Sequence, residues 1–146
     1  VPNPWGGLTN YDPGRIFEAR AFQSGGGGAA GTGPDFMTLL EVLRSGGAPI
    51  LRAETVAMAL ANQTPQLAQA VGPGLQFGYF GAWVDDTRTA GLPVARGTTR
   101  WGGIYGHNWF IDPKNGLTVL SMSNTGLEGS DGAYRDEVCN AVYAAL

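Results

Sequence analysis

Apolar residues recur along this chain at two different periods. Phe36, Met37, Leu39, Leu40 and Leu43 fall at helical spacing and predict an amphipathic helix opening near Asp35. Thr32 or Gly33 ahead of Pro34 supplies a cap with proline in the first turn, and Ser45-Gly46-Gly47 ends the helix. A second, less regular helix is predicted from Glu54 to Asn62, carrying Val56, Met58, Ala59, Leu60 and Ala61. From Leu75 to Val84 the chain turns aromatic and reads as a strand. Thr98 to Tyr105 reads as a second strand, ending in glycines. His107 to Ile111 and Leu117 to Ser123 read as a hairpin, its turn Asp112-Pro113-Lys114-Asn115-Gly116 having Pro early and Asn-Gly late. Gly132 to Leu146 is helical again, with Tyr134, Val138, Ala141, Val142 and Ala145 along one face.

Helix, helix, three or four antiparallel strands, then helix predicts an α+β fold: an antiparallel β-sheet flanked by helices. One domain is expected, with an irregular lead-in over 1–23, a Gly-rich loop and two helices over 24–63, strands over 75–125 and a C-terminal helix over 131–146. A length of 146 residues suits one domain or a large piece of one, and 43% apolar residues allow a core. The 24 glycines are about twice the usual share and imply tight turns and close backbone approaches. The opening Val1-Pro2-Asn3-Pro4-Trp5 has neither a charged-then-apolar signal nor an initiating Met. Removal of an initiating Met and a start part-way through a longer polypeptide both fit this opening, and the compartment stays open.

Charge removes several classes of function. The net charge is −3, Lys114 is the single lysine, and no basic stripe offers a surface to nucleic acid. No apolar run approaches a membrane span. One cysteine excludes an internal disulfide, and one His beside it leaves no closed zinc site, so no metal or other cofactor is expected. Cys139 lies in a helical pattern and reads as a small core residue.

Several motifs look chemical and read as structural. Gly26-x-Gly28-x-x-Gly31 has dinucleotide-fingerprint spacing, yet Glu18 to Gln23 makes a poor buried strand before it and no strand–helix–strand unit follows. Lys114-Asn115-Gly116 resembles a Lys-Thr-Gly triad, but that triad belongs on a strand facing a cleft, and Lys114 falls in a turn. His107 has no G-x-S-x-G serine to serve, so cleft lining suits it better than proton transfer. Asp85-Asp86 and Asp136-Glu137 read as solvated charges rather than a glycosidase pair.

Trp101-Gly102-Gly103-Ile104-Tyr105-Gly106-His107 remains. Glycines in a strand leave the backbone bare, so a ligand can take hydrogen bonds from its N–H groups between apolar walls of Trp and Tyr. A glycine-rich edge strand with no ligand fits the same residues, and both readings stay open at this point.

At these residues the chain resembles a known family. Ser24-Gly25-Gly26-Gly27-Gly28, the Phe36–Gly47 helix, Pro49-Ile50-Leu51 before Glu54-Thr55-Val56, Trp101-Gly102-Gly103, Trp109-Phe110-Ile111-Asp112-Pro113 and Gly116-Leu117 occur in this order. Together they resemble the C-terminal portion of the β-lactamase-related esterases, the family VIII carboxylesterases, whose fold class C β-lactamases share. The resemblance implies a serine hydrolase that cleaves carboxylic esters through an acyl-enzyme, with a Ser-x-x-Lys nucleophile and a Tyr sharing proton transfer. It implies that Trp101, Gly102, Gly103 and Ile104 form the substrate-binding strand, with the Ile104 N–H as one oxyanion donor, and that Tyr105 and His107 line the cleft. Trp-Gly-Gly in place of Lys-Thr-Gly favours esters over β-lactams.

The chain departs from the family in what it lacks. No serine among Ser24, Ser45, Ser121, Ser123 and Ser130 has Lys three positions later, and no Tyr-x-Asn occurs. No catalytic residue is therefore expected in this chain. The nucleophile and its base are expected on an N-terminal segment of the same enzyme, which becomes its partner across an apolar interface. A β-lactamase or D-amino-acid peptidase of the same fold is the nearest alternative. A non-catalytic binding module using Trp and Tyr among glycines is the alternative from another class.

Overall fold

In the computed structural model, residues 6–8, 12–67 and 70–146 are described. Parts of the expected irregular lead-in, residues 1–5 and 9–11, lie outside them, as do 68–69. Helix α1 (Gly33–Arg44) opens where Thr32 caps it, the hydroxyl accepting from the Asp35 N–H at 3.3 Å. It closes on Gly46 and Gly47, whose φ angles of 94° and 96° suit glycine. At Gly47 a Cβ would also sit 2.8 Å from the Leu51 carbonyl oxygen, so the turn into the next helix has no room for a side chain.

Helix α2 (Ala53–Ala59) is shorter than the apolar pattern suggests. Gln63 explains its early end. Its N–H donates to the Phe77 carbonyl at 2.7 Å and its side chain donates to the Met58 carbonyl at 2.7 Å, drawing the chain away toward the sheet.

Five strands form one antiparallel meander in chain order: β1 (Leu75–Phe77), β2 (Ala82–Val84), β3 (Thr99–Gly102), β4 (Asn108–Asp112) and β5 (Leu117–Ser121). The stretch from Leu75 to Val84, read above as one strand, is a hairpin. The Gly78 N–H donates to the Gly81 carbonyl at 2.8 Å, folding Ala82 back onto Phe77. The strand expected through Tyr105 stops at Gly102 because residues 103–106 turn. Between β2 and β3 stands α3 (Thr87–Ala90), capped by Asp86 and ended by left-handed Gly91. Helix α4 (Leu127–Asp131) precedes α5 (Ala133–Ala144), so the C-terminal helix begins later than residue 131.

Side chains alternate across β4 and divide the core in two. Trp109 and Ile111 face Leu40 and Leu43 of α1 and Val56 of α2. Phe36 meets Trp109 edge-on at 6.3 Å. On the other face Phe110 packs with Val84, Leu92, Val94 and Cys139 of α5. All five residues of β4 are buried, as a central strand covered on both faces requires. Leu43 is fully enclosed, so Leu43→Ala in the intact protein is expected to lower unfolding free energy by about 2–5 kcal/mol. Urea denaturation checks it; a loss near zero would mean that α1 is not part of the core.

The acidic pairs are not simply solvated. Asp85 pairs with Arg96 at 2.7 Å, Asp86 caps α3, and Asp136 pairs with buried Arg100 at 2.6 Å. Lys114 is exposed in the β4–β5 turn, as its position in the sequence implies.

Candidate functional site

The Trp101-Gly102-Gly103 segment lies at the end of β3. Strand β4 pairs with β3 along its whole length, from Thr99↔Ile111 to Gly102↔Asn108. Strand β2 pairs only with Thr99 and Arg100. Trp101 and Gly102 therefore run past the last residue paired with β2, and one edge of β3 is uncovered by the sheet at that point. An uncovered edge presents backbone N–H and C=O groups to whatever binds there.

The turn after the strand is held from several sides. Gly103 N–H donates to the His107 carbonyl at 2.8 Å, and Gly106 N–H donates to the Gly103 carbonyl at 2.9 Å. The Gly106 carbonyl accepts from the Ser123 hydroxyl at 2.6 Å, and the Tyr105 carbonyl accepts from the Gly126 N–H at 3.1 Å. Asn108 ties the turn to α4 through the Gly129 carbonyl at 3.1 Å. Gly129 is required there, since a Cβ would strike the Gly106 carbonyl oxygen. Within this braced turn the Ile104 N–H makes no hydrogen bond among the described residues. The His107 ring covers Gly103, and a Cβ at 103 would collide with the imidazole Nε2 and Cε1.

Beside this edge is a cavity of about 700 Å³. Trp101, Gly102 and Ile104 line it; Gly103, Tyr105 and His107 do not. Its apolar side includes Leu75 and Phe77, and the Phe77 ring lies 6.0 Å from that of Trp101. Its polar side is Arg100, Ser130, Asp131 and Arg135. The charges there are paired, Arg100 with Asp136 at 2.6 Å and Arg135 with Asp131 at 2.8 Å, while the buried Arg135 Nε makes no hydrogen bond among the described residues.

Phe77 and the polar side were not picked out from sequence. Phe77 sat unremarked in an aromatic run, and α4, which brings Ser130 and Asp131, has no apolar stripe to announce it. No cluster of three or more metal-ligating side chains occurs among the described residues. Cys139 is enclosed in the core, and burial pushes its thiol up, so it behaves as a small apolar residue.

With this geometry in place, the comparisons with known proteins are decisive. The family model described as beta-lactamase matches residues 1–142. The chain belongs to the beta-lactamase family. It is 41% identical to "Esterase EstB" of Burkholderia gladioli over 145 residues, which is 99% of this chain and 36% of that protein. Its fold matches the solved structure titled "EstCE1, a hydrolase with promiscuous acyltransferase activity" with a TM-score of 0.86 and 38% identity, over 98% of this chain and 38% of that one. The chain thus spans about a third of the length of these relatives. The β-lactamase-like fold and the family expected from the motif order are those found, with five strands where three or four were expected. Among the described residues no helix is long and apolar enough to cross a membrane.

Proposed function

We propose that this beta-lactamase-family chain supplies one wall of the cleft in a serine hydrolase that cleaves carboxylic esters through an acyl-enzyme. One observation carries the reading. Trp101 and Gly102 extend past the end of β2 beside a large cavity, and two residues on, the Ile104 N–H has no partner among the described residues.

A backbone N–H fixed by a braced turn suits a developing oxyanion, because it needs no reorganisation when charge appears. The ester carbonyl oxygen would lie against it. A serine on a segment outside this chain attacks the acyl carbon, and its proton passes to the alcohol oxygen as the C–O bond breaks. Water then cleaves the acyl-enzyme, releasing the acid and restoring the serine. The Lys of Ser-x-x-Lys and a tyrosine, both outside this chain, carry the protons. His107 serves by packing: its ring caps Gly103 and its carbonyl anchors the strand end.

The outer edge of β5 has no further strand among the described residues, and we assign to it the segment that completes the sheet. Esters fit better than β-lactams, whose carboxylate needs a cation. Trp101 stands where the resemblance puts the β-lactamase lysine, and both arginines of the cavity are already paired.

Labelling the intact enzyme with a fluorophosphonate and mapping the adduct tests this. One adduct on a serine outside residues 1–146 is expected, with turnover of 4-nitrophenyl acetate far exceeding that of a chromogenic cephalosporin. An adduct on Ser121, Ser123 or Ser130 would overturn the placement of the nucleophile. No adduct at all would overturn the serine mechanism.

A further inference from the structure

The cavity beside Trp101 is much larger than an acetyl group requires. At about 700 Å³ it falls within the roughly 300–1,000 Å³ of pockets that enclose drug-sized ligands. Leu75, Phe77, Ala82 and Ala90 make one side of it apolar. The arginines on the other side have carboxylate partners, so the charges lining the cavity are balanced. Phe77 is 39% exposed and Trp101 45%, while the core leucines of α1 are enclosed. Two large rings left out of both cores, adjacent to each other and lining one cavity, provide apolar surface for a ligand to cover. Ile104 lines the same cavity, so a group seated there is continuous with an ester carbonyl at the Ile104 N–H.

We propose that this cavity binds a neutral, bulky apolar group of the ester, an aryl group or a medium-length alkyl chain, and that Phe77 and Gly72 set this preference from its walls. The proposal rests on the ester-hydrolase reading above. Gly72 matters because it lines the cavity with open space around it: a Cβ there meets nothing within 4 Å. The backbone at 72 therefore has room for a Cβ, and in this proposal a larger side chain built on it takes up volume that the substrate group would fill.

The test compares ratios of kcat/KM in the intact enzyme. The acyl arm sets 4-nitrophenyl octanoate against 4-nitrophenyl acetate; the alcohol arm sets benzyl acetate against ethyl acetate. Gly72→Phe is expected to lower the bulky-to-small ratio by about tenfold in one arm, and Phe77→Ala to lower the ratio in that same arm by several-fold. The arm that responds tells whether the acyl or the alcohol group occupies the cavity. Since each substitution is read as a ratio, a general loss of folding does not imitate the result. Ratios unmoved by both variants overturn the proposal while leaving ester hydrolysis standing, as they would if a segment outside this chain fills the cavity. A parent enzyme that hydrolyses none of these esters overturns the ester-hydrolase reading itself.

Discussion

On the ester-hydrolase reading proposed above, Gly103→Ala is expected to lower kcat/KM of the intact enzyme for a short aryl ester by up to about 10²-fold, through displacement of the Ile104 N–H. The cause is steric. A methyl at 103 collides with the His107 imidazole, and its Cβ would still lie 2.9 Å from the ring Cδ2. The imidazole is the end of a side chain, so rotating the ring relieves part of the collision, and the rest falls on the turn in which the His107 carbonyl holds the Gly103 N–H at 2.8 Å. The part that the backbone absorbs moves Ile104, which follows residue 103 directly. A displacement of about 1 Å at a positioning group is enough to cost about 10² in rate. The backbone itself tolerates alanine there, as Gly103 is not among the positive-φ glycines, so the fold should survive. The double variant Gly103→Ala/His107→Ala separates the causes. Recovery of a large part of the rate identifies the ring collision; a single variant with full activity would show that the end of β3 does not position the reacting ester.

How much of this was legible in the sequence depended on the range over which each signal acts. Helix α1 was readable because its signals are local: Thr32, Pro34, the stripe from Phe36 to Leu43 and the closing glycines lie within one segment. The β4–β5 turn was readable for the same reason. The β1–β2 hairpin was not, because aromatic content is uniform from Phe77 to Trp83 and hides the turn made by Gly78 and Gly81. Helix α3 carried both of its end signals, Asp86 and Gly91, but four residues are too few to show a period. Helix α4 owes its place to Gly129 packing against Gly106, a contact across 23 positions that no local pattern records.

The candidate site divides along the same line. The Trp-Gly-Gly strand is a contiguous motif and was visible. The cavity next to it is assembled from β1, β2, β3, α3, α4 and α5, and the Arg100–Asp136 pair that neutralises its polar side joins residues 36 positions apart. Asp136 could be read only as an exposed charge until α5 was placed on the sheet.

The largest expected effect on stability is at Asp112, the last residue of β4 and fully buried. Its carboxylate accepts the Ala95 N–H at 3.0 Å, the Asn115 N–H at 3.1 Å, the Asn115 side-chain amide at 2.8 Å and the Tyr143 hydroxyl of α5. It thereby ties the loop before β3, the β4–β5 turn and the C-terminal helix to one point. Asp112→Ala strands these donors in the interior and is expected to cost the intact protein about 3–5 kcal/mol in urea denaturation. Burial by itself would raise the Asp112 carboxyl, but the bonds from Tyr143, Ala95 and Asn115 outweigh it and hold the group below the usual carboxylate range. The same burial, with the neighbouring carboxylate, pushes the Tyr143 hydroxyl up, so it remains a donor. The depressed carboxyl fixes the direction of the pH dependence. Above the unfolded-state value, about pH 4, folded and unfolded chains are equally deprotonated at this residue and its contribution is complete. Below it the unfolded chain gains a proton that the folded chain refuses, so the contribution falls until the pH passes the folded value. The parent protein should therefore lose stability on acidification below about pH 4 more steeply than Asp112→Ala. Parallel acid limbs in the two proteins would mean that the Asp112 carboxylate gains nothing on folding, and that the loss on mutation comes from packing alone.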